Sequence, residues 1–155
     1  MARNRIHRPM VAVTIMQTTW ESNESAIKSI RMPVFVLEQN VPYQIDFDQN
    51  DAQAVHWVAF DQEHQPVGTA RLLKDGHFGR MAVLKDFRHK GVGRLIMLAA
   101  IDYAKNLGMP TIYLNAQLPA EKFYESLEFE RYGETFFEAN IEHIGMCRDL
   151  DLDLI

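Results

Sequence analysis

The sequence contains one cysteine and no long apolar stretch. The single thiol, Cys147, excludes an intramolecular disulfide framework and any zinc site built on several thiolates. No apolar stretch approaches the roughly 20 residues that a membrane-spanning helix needs. Arginines near the N-terminus precede only a short apolar run, Met10–Met16, and no small-residue cleavage site follows it. These absences predict a cytoplasmic protein without a membrane segment.

The chain also lacks an excess of basic residues. Sixteen Lys and Arg stand against 21 Asp and Glu, which gives a formal net charge of −5. This balance disfavours general binding to nucleic acid or to an anionic membrane, and it mildly suits a cationic substrate. The histidines at 56, 64, 77 and 89 show no repeated ligand spacing, so we expect no metal site.

No internal repeat, low-complexity tract or linker interrupts the 155 residues. Hydrophobic residues make up 47% of the chain and charged residues 24%, as in ordinary globular proteins. A chain of this length buries roughly two-thirds of its surface on folding. We therefore expect one domain spanning residues 1–155.

Hydrophobic periodicity predicts a mixture of strands and helices. The expected strands are Val11–Met16, His56–Phe60, Pro66–Leu73, His77–Val83, Ile112–Leu114, Phe129–Tyr132 and Ile144–Leu150. The expected helices are one from about Glu24 towards Phe35, capped by Ser22 and kinked or ended by Pro33; a long one from Val92 to Leu107, stopped by Gly108; and a short one around Phe123–Leu127. Residues 38–53 are polar and predict a long surface loop.

The order of these elements indicates the fold class. The three strands between residues 56 and 83 are closely spaced and predict an antiparallel meander. Strands followed by a strand–helix–strand unit imply a mixed sheet with helices on its faces. The expected class is therefore α/β of the α+β type.

The segment Arg88-His89-Lys90-Gly91-Val92-Gly93-Arg94 lies between a predicted strand and the long helix. A helix N-terminus leaves its first N–H groups without partners and carries a partial positive charge. Two glycines let a bulky anion approach that backbone, and Arg88, Lys90 and Arg94 add full charges. The whole context predicts a phosphate cradle rather than a plain glycine turn with solvated basic residues. A P-loop is excluded because no Gly-Lys-Ser/Thr follows, and a dinucleotide fingerprint fits poorly because residue 96 is Ile.

The spacing Arg88-x-x-Gly91-x-Gly93 resembles the pyrophosphate-binding motif of the GNAT superfamily of acetyl-CoA-dependent N-acetyltransferases. Upstream, Met81–Val83 resembles the family strand whose backbone groups pair with the pantetheine arm. Downstream, residues 120–129 resemble the family segment A-x-x-F-Y-E-x-L-G-F, whose tyrosine faces the coenzyme sulfur. Glu128 replaces the usual glycine of that segment, and we expect it to alter the turn but not the chemistry.

Three further segments resemble the ElaA-like branch of this family. They are Arg31–Pro42, Leu114–Gln117 and Ile141–Met146, so the resemblance covers about residues 31–148. It implies a twisted, mostly antiparallel mixed sheet that is splayed between its fourth and fifth strands and flanked by helices. It also implies that coenzyme A lies in the resulting cleft, with acetyl-CoA as co-substrate and no metal.

The resemblance assigns a role to each candidate site residue. The expected coenzyme-binding residues are Met81, Ala82, Val83, Arg88, His89, Lys90, Gly91, Val92, Gly93, Arg94, Asn115 and Tyr124. Tyr124 is the candidate general acid, because a phenol with a pKa near 10 can protonate a thiolate of similar basicity; the alternative is a core residue with a satisfied hydroxyl.

For the residues expected to contact the substrate amine, the sequence leaves alternative roles open. Glu38 either binds or deprotonates the substrate ammonium, or it orders its loop through hydrogen bonds. Gln117 and His143 are candidate substrate contacts; their alternatives are closing the splay and a satisfied structural histidine. The amine proton can also leave to water without a protein base.

The expected activity is transfer of an acetyl group from acetyl-CoA to a primary amine by direct attack. The amine belongs to a small molecule, a peptide or a protein, and the other expected partner is coenzyme A. The C-terminal strands offer an edge for a homodimer. Two alternatives stand beside this activity: a non-catalytic module that binds or senses acyl-CoA, and a protein-interaction domain that uses the fold as a scaffold.

Overall fold

The computed structural model describes residues 12–150. Its strands are β1 (Thr14–Thr19), β2 (Val55–Phe60), β3 (Pro66–Leu72), β4 (Phe78–Val83), β5 (Thr111–Gln117), β6 (Glu130–Glu138) and β7 (Ile141–Asp149). Its α-helices are α1 (Trp20–Arg31), α2 (Tyr43–Asp46), α3 (Val92–Asn106) and α4 (Glu121–Glu125). A π-helix spans Met32–Glu38, and short 3-10 helices span Gln49–Gln53, Lys85–Phe87 and Leu118–Ala120. Over this range, no helix has both the length and the apolar character needed to span a membrane.

The strands form two sheets that are joined at one point. Strands β1 to β4 form an antiparallel sheet in sequence order, and the second sheet has the order β5-β7-β6. In the described part of the chain, the sheets meet at a parallel bridge between His77 and Tyr113, where the Tyr113 N–H donates to the Gly76 carbonyl at 3.0 Å. Beyond this bridge β4 and β5 diverge. The predicted meander and the predicted splay between the fourth and fifth strands are confirmed.

Helices cover both faces of the first sheet. Along β2 the side chains alternate, so that Trp57 and Ala59 pack in the cluster that includes α3, whereas Val58 packs in the cluster that includes α1. Helix α3 begins and ends close to the predicted bounds, and Gly108 follows it with a positive φ of 78°. The α/β class of the α+β type is therefore confirmed.

The first helix differs from its prediction at both ends. It begins at Trp20, and its N-cap is Thr19, whose Oγ1 accepts from the Ser22 N–H at 3.2 Å; Ser22 is therefore not the cap. Pro33 ends the α-helix as predicted, but the chain continues as a π-helix to Glu38. The hydrogen-bond pattern lengthens there, and the Gln39 N–H donates to the Val34 carbonyl at 3.2 Å.

The long surface loop predicted for residues 38–53 is wrong. The segment contains α2 and a 3-10 helix, and two of its aspartates, Asp46 and Asp51, are each only 2% exposed. The cause is pairing with buried arginines, Arg31 above all, which a polar composition does not reveal.

Strands β1 and β6 also differ from their predicted bounds. Strand β1 runs from Thr14 to Thr19, so it continues past the predicted end, and Val11 lies outside the described residues. Strand β6 extends to Glu138 and joins β7 through Ala139 and Asn140, both at positive φ as in a tight hairpin turn. All nine residues of β6 are exposed, so it lacks the apolar alternation that marks a half-buried strand.

Candidate active site

A cavity of about 440 Å³ opens where β4 and β5 diverge. Its walls come from the π-helix, α2, α4, the two diverging strands and the turn between β6 and β7. Eight predicted site residues line it: Met81, Ala82, Val83, Arg88, Asn115, Gln117, Tyr124 and His143. The splay therefore brings together residues that are far apart in the sequence, in a space suited to a small ligand.

A β-bulge shapes the β4 wall of this cavity. Thr69 lies opposite Ala82 and Arg71 lies opposite Gly79, so two β4 residues lie across from one β3 residue between these pairs. One of the two, Arg80, has a φ of +51°. Strand β4 is the last of its sheet, and beyond the bridge to Tyr113 no strand of the described residues pairs with its outer edge, where the Val83 carbonyl accepts from Arg88.

The N-terminus of α3 presents free amides beside this edge. Gly91 is the N-cap, with a left-handed φ of +88° and no side-chain cap. The Leu95 N–H donates to the Gly91 carbonyl at 3.1 Å, and within residues 12–150 the amides of residues 92–94 have no acceptor. His89, Lys90 and Arg94 are exposed around this end. Free amides, a left-handed glycine and nearby cations fit the diphosphate of a coenzyme.

Gly93 keeps the space between this helix end and β4 open. A Cβ built on Gly93 would lie 3.6 Å from Met81 Cε and 3.6 Å from Phe123 Cζ, which is ordinary van der Waals contact. The missing side chain therefore leaves a gap between α3, β4 and α4. The gap lies between the free amides of α3 and Met81 of the cavity wall.

Two predicted site residues, Arg88 and Glu38, bind each other. Arg88 Nη1 and Nη2 donate to the two carboxylate oxygens of Glu38 at 2.9 and 2.7 Å, and Arg88 Nε donates to the Val83 carbonyl at 2.8 Å. The Arg88 guanidinium lowers the pKa of Glu38, which makes this carboxylate a weaker base. Arg88 therefore fixes the end of β4, while Glu38 lies at the end of the π-helix rather than in a loop.

Tyr124 lies on α4 with its ring packed in the core and 9% of its surface exposed. The ring contacts Phe123 and Phe129 edge-on, at centroid distances of 5.0 and 5.9 Å. The residue lines the cavity, and its hydroxyl has no hydrogen-bond partner in the described part of the chain. Burial raises the pKa of Tyr124, so the phenol keeps its proton at neutral pH and is a weaker acid than an exposed phenol.

Gln117 is joined to a residue that the sequence analysis missed. Gln117 Nε2 donates to Gln39 Oε1 at 3.0 Å, and Gln39 Nε2 donates in return at 3.3 Å. This reciprocal amide pair crosses the cavity from β5 to the residue after the π-helix. Gln39 lies inside the Arg31–Pro42 segment that resembles the ElaA-like branch, but its role in the site did not follow from that segment because its partner is 78 positions away in the sequence. Asn115 lies nearby with an exposed side chain.

His143 lines the cavity from β7 and is 7% exposed. Its Nδ1–H donates to the Ile141 carbonyl at 2.7 Å, and its ring stacks on Phe136 with centroids 5.7 Å apart. In the tautomer in which Nδ1 alone carries hydrogen, Nε2 is an acceptor nitrogen, and it has no partner among residues 12–150. The cavity also contains Arg80 and Asp46, which the sequence analysis did not propose. No group of three or more potential metal ligands is found in the described residues.

Comparison with known protein families identifies the family to which a chain with this cleft and this helix N-terminus belongs. The model of the acetyltransferase (GNAT) domain matches residues 30–150. The chain belongs to the GNAT acetyltransferase family.

Relatives of this GNAT chain come from several bacteria. It is 37% identical to YjcF of Bacillus subtilis, an uncharacterised N-acetyltransferase, over 86% of this chain and 100% of that protein. It is 32% identical to ElaA of Escherichia coli over 81% of this chain and 86% of that protein. The predicted resemblance to the ElaA-like branch is confirmed.

Solved structures show the same fold. The crystal structure of E. coli ElaA matches with a TM-score of 0.78 at 30% identity, over 87% of this chain and 99% of that one. An acyl-CoA N-acyltransferase from Pseudomonas aeruginosa matches with a TM-score of 0.78 at 28% identity, over 88% and 99% of the two chains. The protein is therefore an acyltransferase of the GNAT type.

The alteration of the turn expected at Glu128 is not seen in this GNAT chain, because the residue adopts the backbone conformation that glycine would take. Glu128 has a φ of +71°, a left-handed backbone that favours glycine at this position after α4. Its N–H still donates to the Glu125 carbonyl at 2.9 Å, and Tyr124 retains its place in the cavity wall.

Proposed function

We propose that this GNAT enzyme transfers the acetyl group of acetyl-CoA to a primary amine by direct attack. The family uses acyl-CoA donors, and the acceptor amine is carried by a small molecule, a peptide or a protein. The observation that carries the proposal is the set of free amides at the start of α3, beside the open edge of β4. The strand edge lines the cavity, and the anion site lies beside that edge, where Gly93 faces Met81.

The coenzyme half of the site uses backbone more than side chains. The amides of Val92, Gly93 and Arg94, opened by the left-handed turn at Gly91, would hold the diphosphate, with His89, Lys90 and Arg94 supplying positive charge. The β4 edge at Met81, Ala82 and Val83 would pair with the pantetheine arm, and Asn115 would contact it from β5. A backbone N–H of this edge would polarise the thioester carbonyl, because preorganised dipoles stabilise developing negative charge at low cost.

The acetyl-transfer step assigns Tyr124 to the leaving group. The amine nitrogen forms a bond to the carbonyl carbon while the carbon–sulfur bond breaks, and Tyr124 donates its phenol proton to the leaving sulfur. Burial raises the pKa of Tyr124, which keeps the phenol protonated but makes it a weaker acid, so the position of the residue in the cavity wall, and not its pKa, supports this role.

The amine must lose a proton, and water, Glu38 (the base candidate from the sequence) and His143 (a predicted substrate contact) are the groups considered as its acceptor. His143 Nε2 is an acceptor that lines the cavity and has no partner among the described residues. Glu38 is held by Arg88 through two hydrogen bonds, and this pairing favours an ordering role at the entrance. We therefore propose His143 as the acceptor of the amine proton, with Gln117 as a contact for the acceptor molecule.

The setting of this activity is also part of the proposal. The single cysteine and its free thiol suit a reducing, cytoplasmic compartment. The net charge of −5 favours amines over nucleic acids as partners. A homodimer through the C-terminal strands stays a prediction.

The test combines coenzyme binding with turnover. Titration calorimetry should show binding of coenzyme A, and mixing the protein with acetyl-CoA and a panel of aliphatic diamines, arylalkylamines and lysine peptides should release free thiol. Absence of binding would contradict the cradle. Binding without thiol release across the panel would favour the non-catalytic acyl-CoA module.

A further inference from the structure

A buried network of charges lies under the wall that α2 forms. Arg31 is 0% exposed and donates from Nε to Asp46 at 3.2 Å and from Nη1 to Asp51 at 2.8 Å. Arg71 donates from Nη1 to both Asp51 and Asp48, at 2.8 and 2.7 Å. Each buried carboxylate faces at least one guanidinium, which is the condition under which charges tolerate burial. The network fixes the segment around α2 to α1 and β3.

Arg80 extends this network to the cavity. Its Nε donates to the Asp46 carbonyl at 3.0 Å, and its Nη2 donates to the Ile45 carbonyl at 3.0 Å and to Asp48 Oδ2 at 3.2 Å. Ile45 and Asp46 are cavity-lining residues of α2. One side chain therefore holds two consecutive carbonyl groups of the cavity wall.

The backbone of Arg80 belongs to the opposite wall. Arg80 lies in the β4 bulge with a φ of +51°, a conformation that is uncommon for a residue other than glycine, and Met81 follows it directly. Backbone strain of this kind persists only where surrounding contacts over-determine it. Arg80 thus joins the strand edge at Met81 to the wall at Ile45, and the width of the cavity between them depends on its side chain.

Lysine cannot replace these contacts. The guanidinium donates from separate nitrogens in a fixed plane, whereas a lysine ammonium is a point charge on a flexible stem. The coenzyme cradle at the start of α3 makes none of these contacts, because the Arg80 side chain reaches only the segment from Ile45 to Asp48.

We propose that Arg80 is a positioning residue for the acceptor amine, because it holds the α2 wall at a fixed distance from the β4 edge. This inference rests on the proposed acetyltransferase function. It separates the two substrates: Arg80 governs how well the acceptor fits, and the α3 amides govern coenzyme affinity.

The test compares Arg80→Met with the control Arg131→Met, which removes an exposed guanidinium paired with Glu121. For the fastest acceptor of the amine panel, Arg80→Met should raise KM at least tenfold and change kcat less than threefold, while coenzyme A affinity stays within twofold. In the protein without substrates, amides 43–48 should exchange hydrogen faster in this variant. Arg80→Lys should give a KM between those of the wild type and Arg80→Met. This second variant keeps the test valid if Arg80→Met does not fold.

Two results would overturn the inference. One is an unchanged KM in both Arg80 variants; the other is a fall in kcat alone, which indicates only a smaller active fraction. If the wild-type protein acetylates none of the amines, the proposed function fails separately. Hydrogen exchange then tests whether Arg80 holds the α2 wall in place. Unchanged exchange of amides 43–48 in Arg80→Met refutes this, and faster exchange with intact coenzyme A binding supports it.

Discussion

A buried tyrosine that lines a cavity and has a free hydroxyl is the side chain most directly tied to the chemistry. The core packs the Tyr124 ring against Phe123 and Phe129, so the ring is fixed while the hydroxyl remains available among the described residues. A purely structural tyrosine usually satisfies its hydroxyl when it is buried. The arrangement therefore favours a functional role for the oxygen over a packing role.

Replacing Tyr124 with phenylalanine should separate chemistry from packing. Because the ring is kept and only the proton donor is lost, we expect kcat to fall roughly a hundredfold, within the range for a positioned general acid. The dissociation constant of coenzyme A should stay nearly unchanged. Steady-state kinetics and calorimetry measure the two quantities, with Tyr132→Phe, an exposed tyrosine of β6, as the control. An unchanged kcat would remove Tyr124 from the mechanism.

Replacing Gly93 with alanine should stabilise the fold and at the same time weaken coenzyme A binding. Because a Cβ at this position makes only ordinary contacts, Gly93→Ala should fold normally and raise the melting temperature, since alanine is favoured over glycine in helices by up to about 1 kcal/mol. The added methyl group would narrow the gap beside Met81 and weaken coenzyme A binding at least tenfold. Differential scanning calorimetry and titration calorimetry test the two effects together.

Gly91→Ala is the matched comparison for this prediction. At a φ of +88°, alanine is strained, and the expected cost is about 1–2 kcal/mol. This variant should therefore lower the melting temperature, whereas Gly93→Ala should raise it. If Gly93→Ala binds coenzyme A as tightly as the wild type, the gap is not part of the coenzyme path.

Local motifs explain which site residues the sequence could identify. The segment from Arg88 to Arg94 and Tyr124 are recognisable because their spacing is contained within a few residues. Gln39 and Arg80 were missed because their partners lie 78 and about 34 positions away, and no short pattern encodes such pairs. The pairing of Glu38 with Arg88, 50 positions apart, was equally hidden.

At the scale of elements, prediction succeeded where apolar periodicity is strong. Helix α3 repeats apolar residues on one face through four turns, and its bounds follow from that pattern and Gly108. The segment from Tyr43 to Gln53 shows the reverse: its order comes from buried ion pairs, so its polar composition indicated a loop. Strand β6 was underestimated because its side chains are exposed on both faces, and only pairing with β7 defines it.

The buried ion pairs predict a large effect on the stability of that segment. Arg31→Met would leave Asp46 and Asp51 with fewer cationic partners, and removing one partner of a buried pair costs roughly 3–5 kcal/mol. Urea denaturation should show this loss as a lower midpoint. Arg131→Met, which breaks an exposed pair, should leave the midpoint nearly unchanged. A loss below about 1 kcal/mol for Arg31→Met would show that the network is not a major source of stability.

At the scale of the whole molecule, the cleft follows from strand order. Strand β5 pairs with β7, which leaves β4 and β5 as the facing edges of two sheets joined at the bridge between His77 and Tyr113. The hydrophobic pattern alone predicted a mixed sheet. The splay came from the resemblance to GNAT proteins, because pairing between distant strands depends on tertiary contacts that periodicity does not encode.

The same distribution of buried polar groups predicts how the whole fold responds to acid. Burial lowers the pKa of both His56 and His77, so these rings are neutral in the folded protein near neutral pH. Around His56 the nearest charged groups are Asp51, Arg31 and Arg71, and Nε2–H donates to the Asp51 carbonyl at 2.9 Å. The other ring nitrogen is buried without a partner in the described residues, so a proton there would add an unpaired charge.

The sign of the pH effect follows from linkage. Unfolded imidazoles bind protons below pH about 6.5, whereas the folded rings resist protonation; stability is therefore full above that pH and declines as the pH falls from 6.5 towards the lower folded pKa. We expect the melting temperature to drop between pH 7.5 and 5.5. His56→Gln keeps a donor for the Asp51 carbonyl and should show a shallower drop, while His64→Gln, at an exposed ring, should match the wild type. If the curves of His56→Gln and the wild type run parallel, His56 does not couple the stability of the fold to pH.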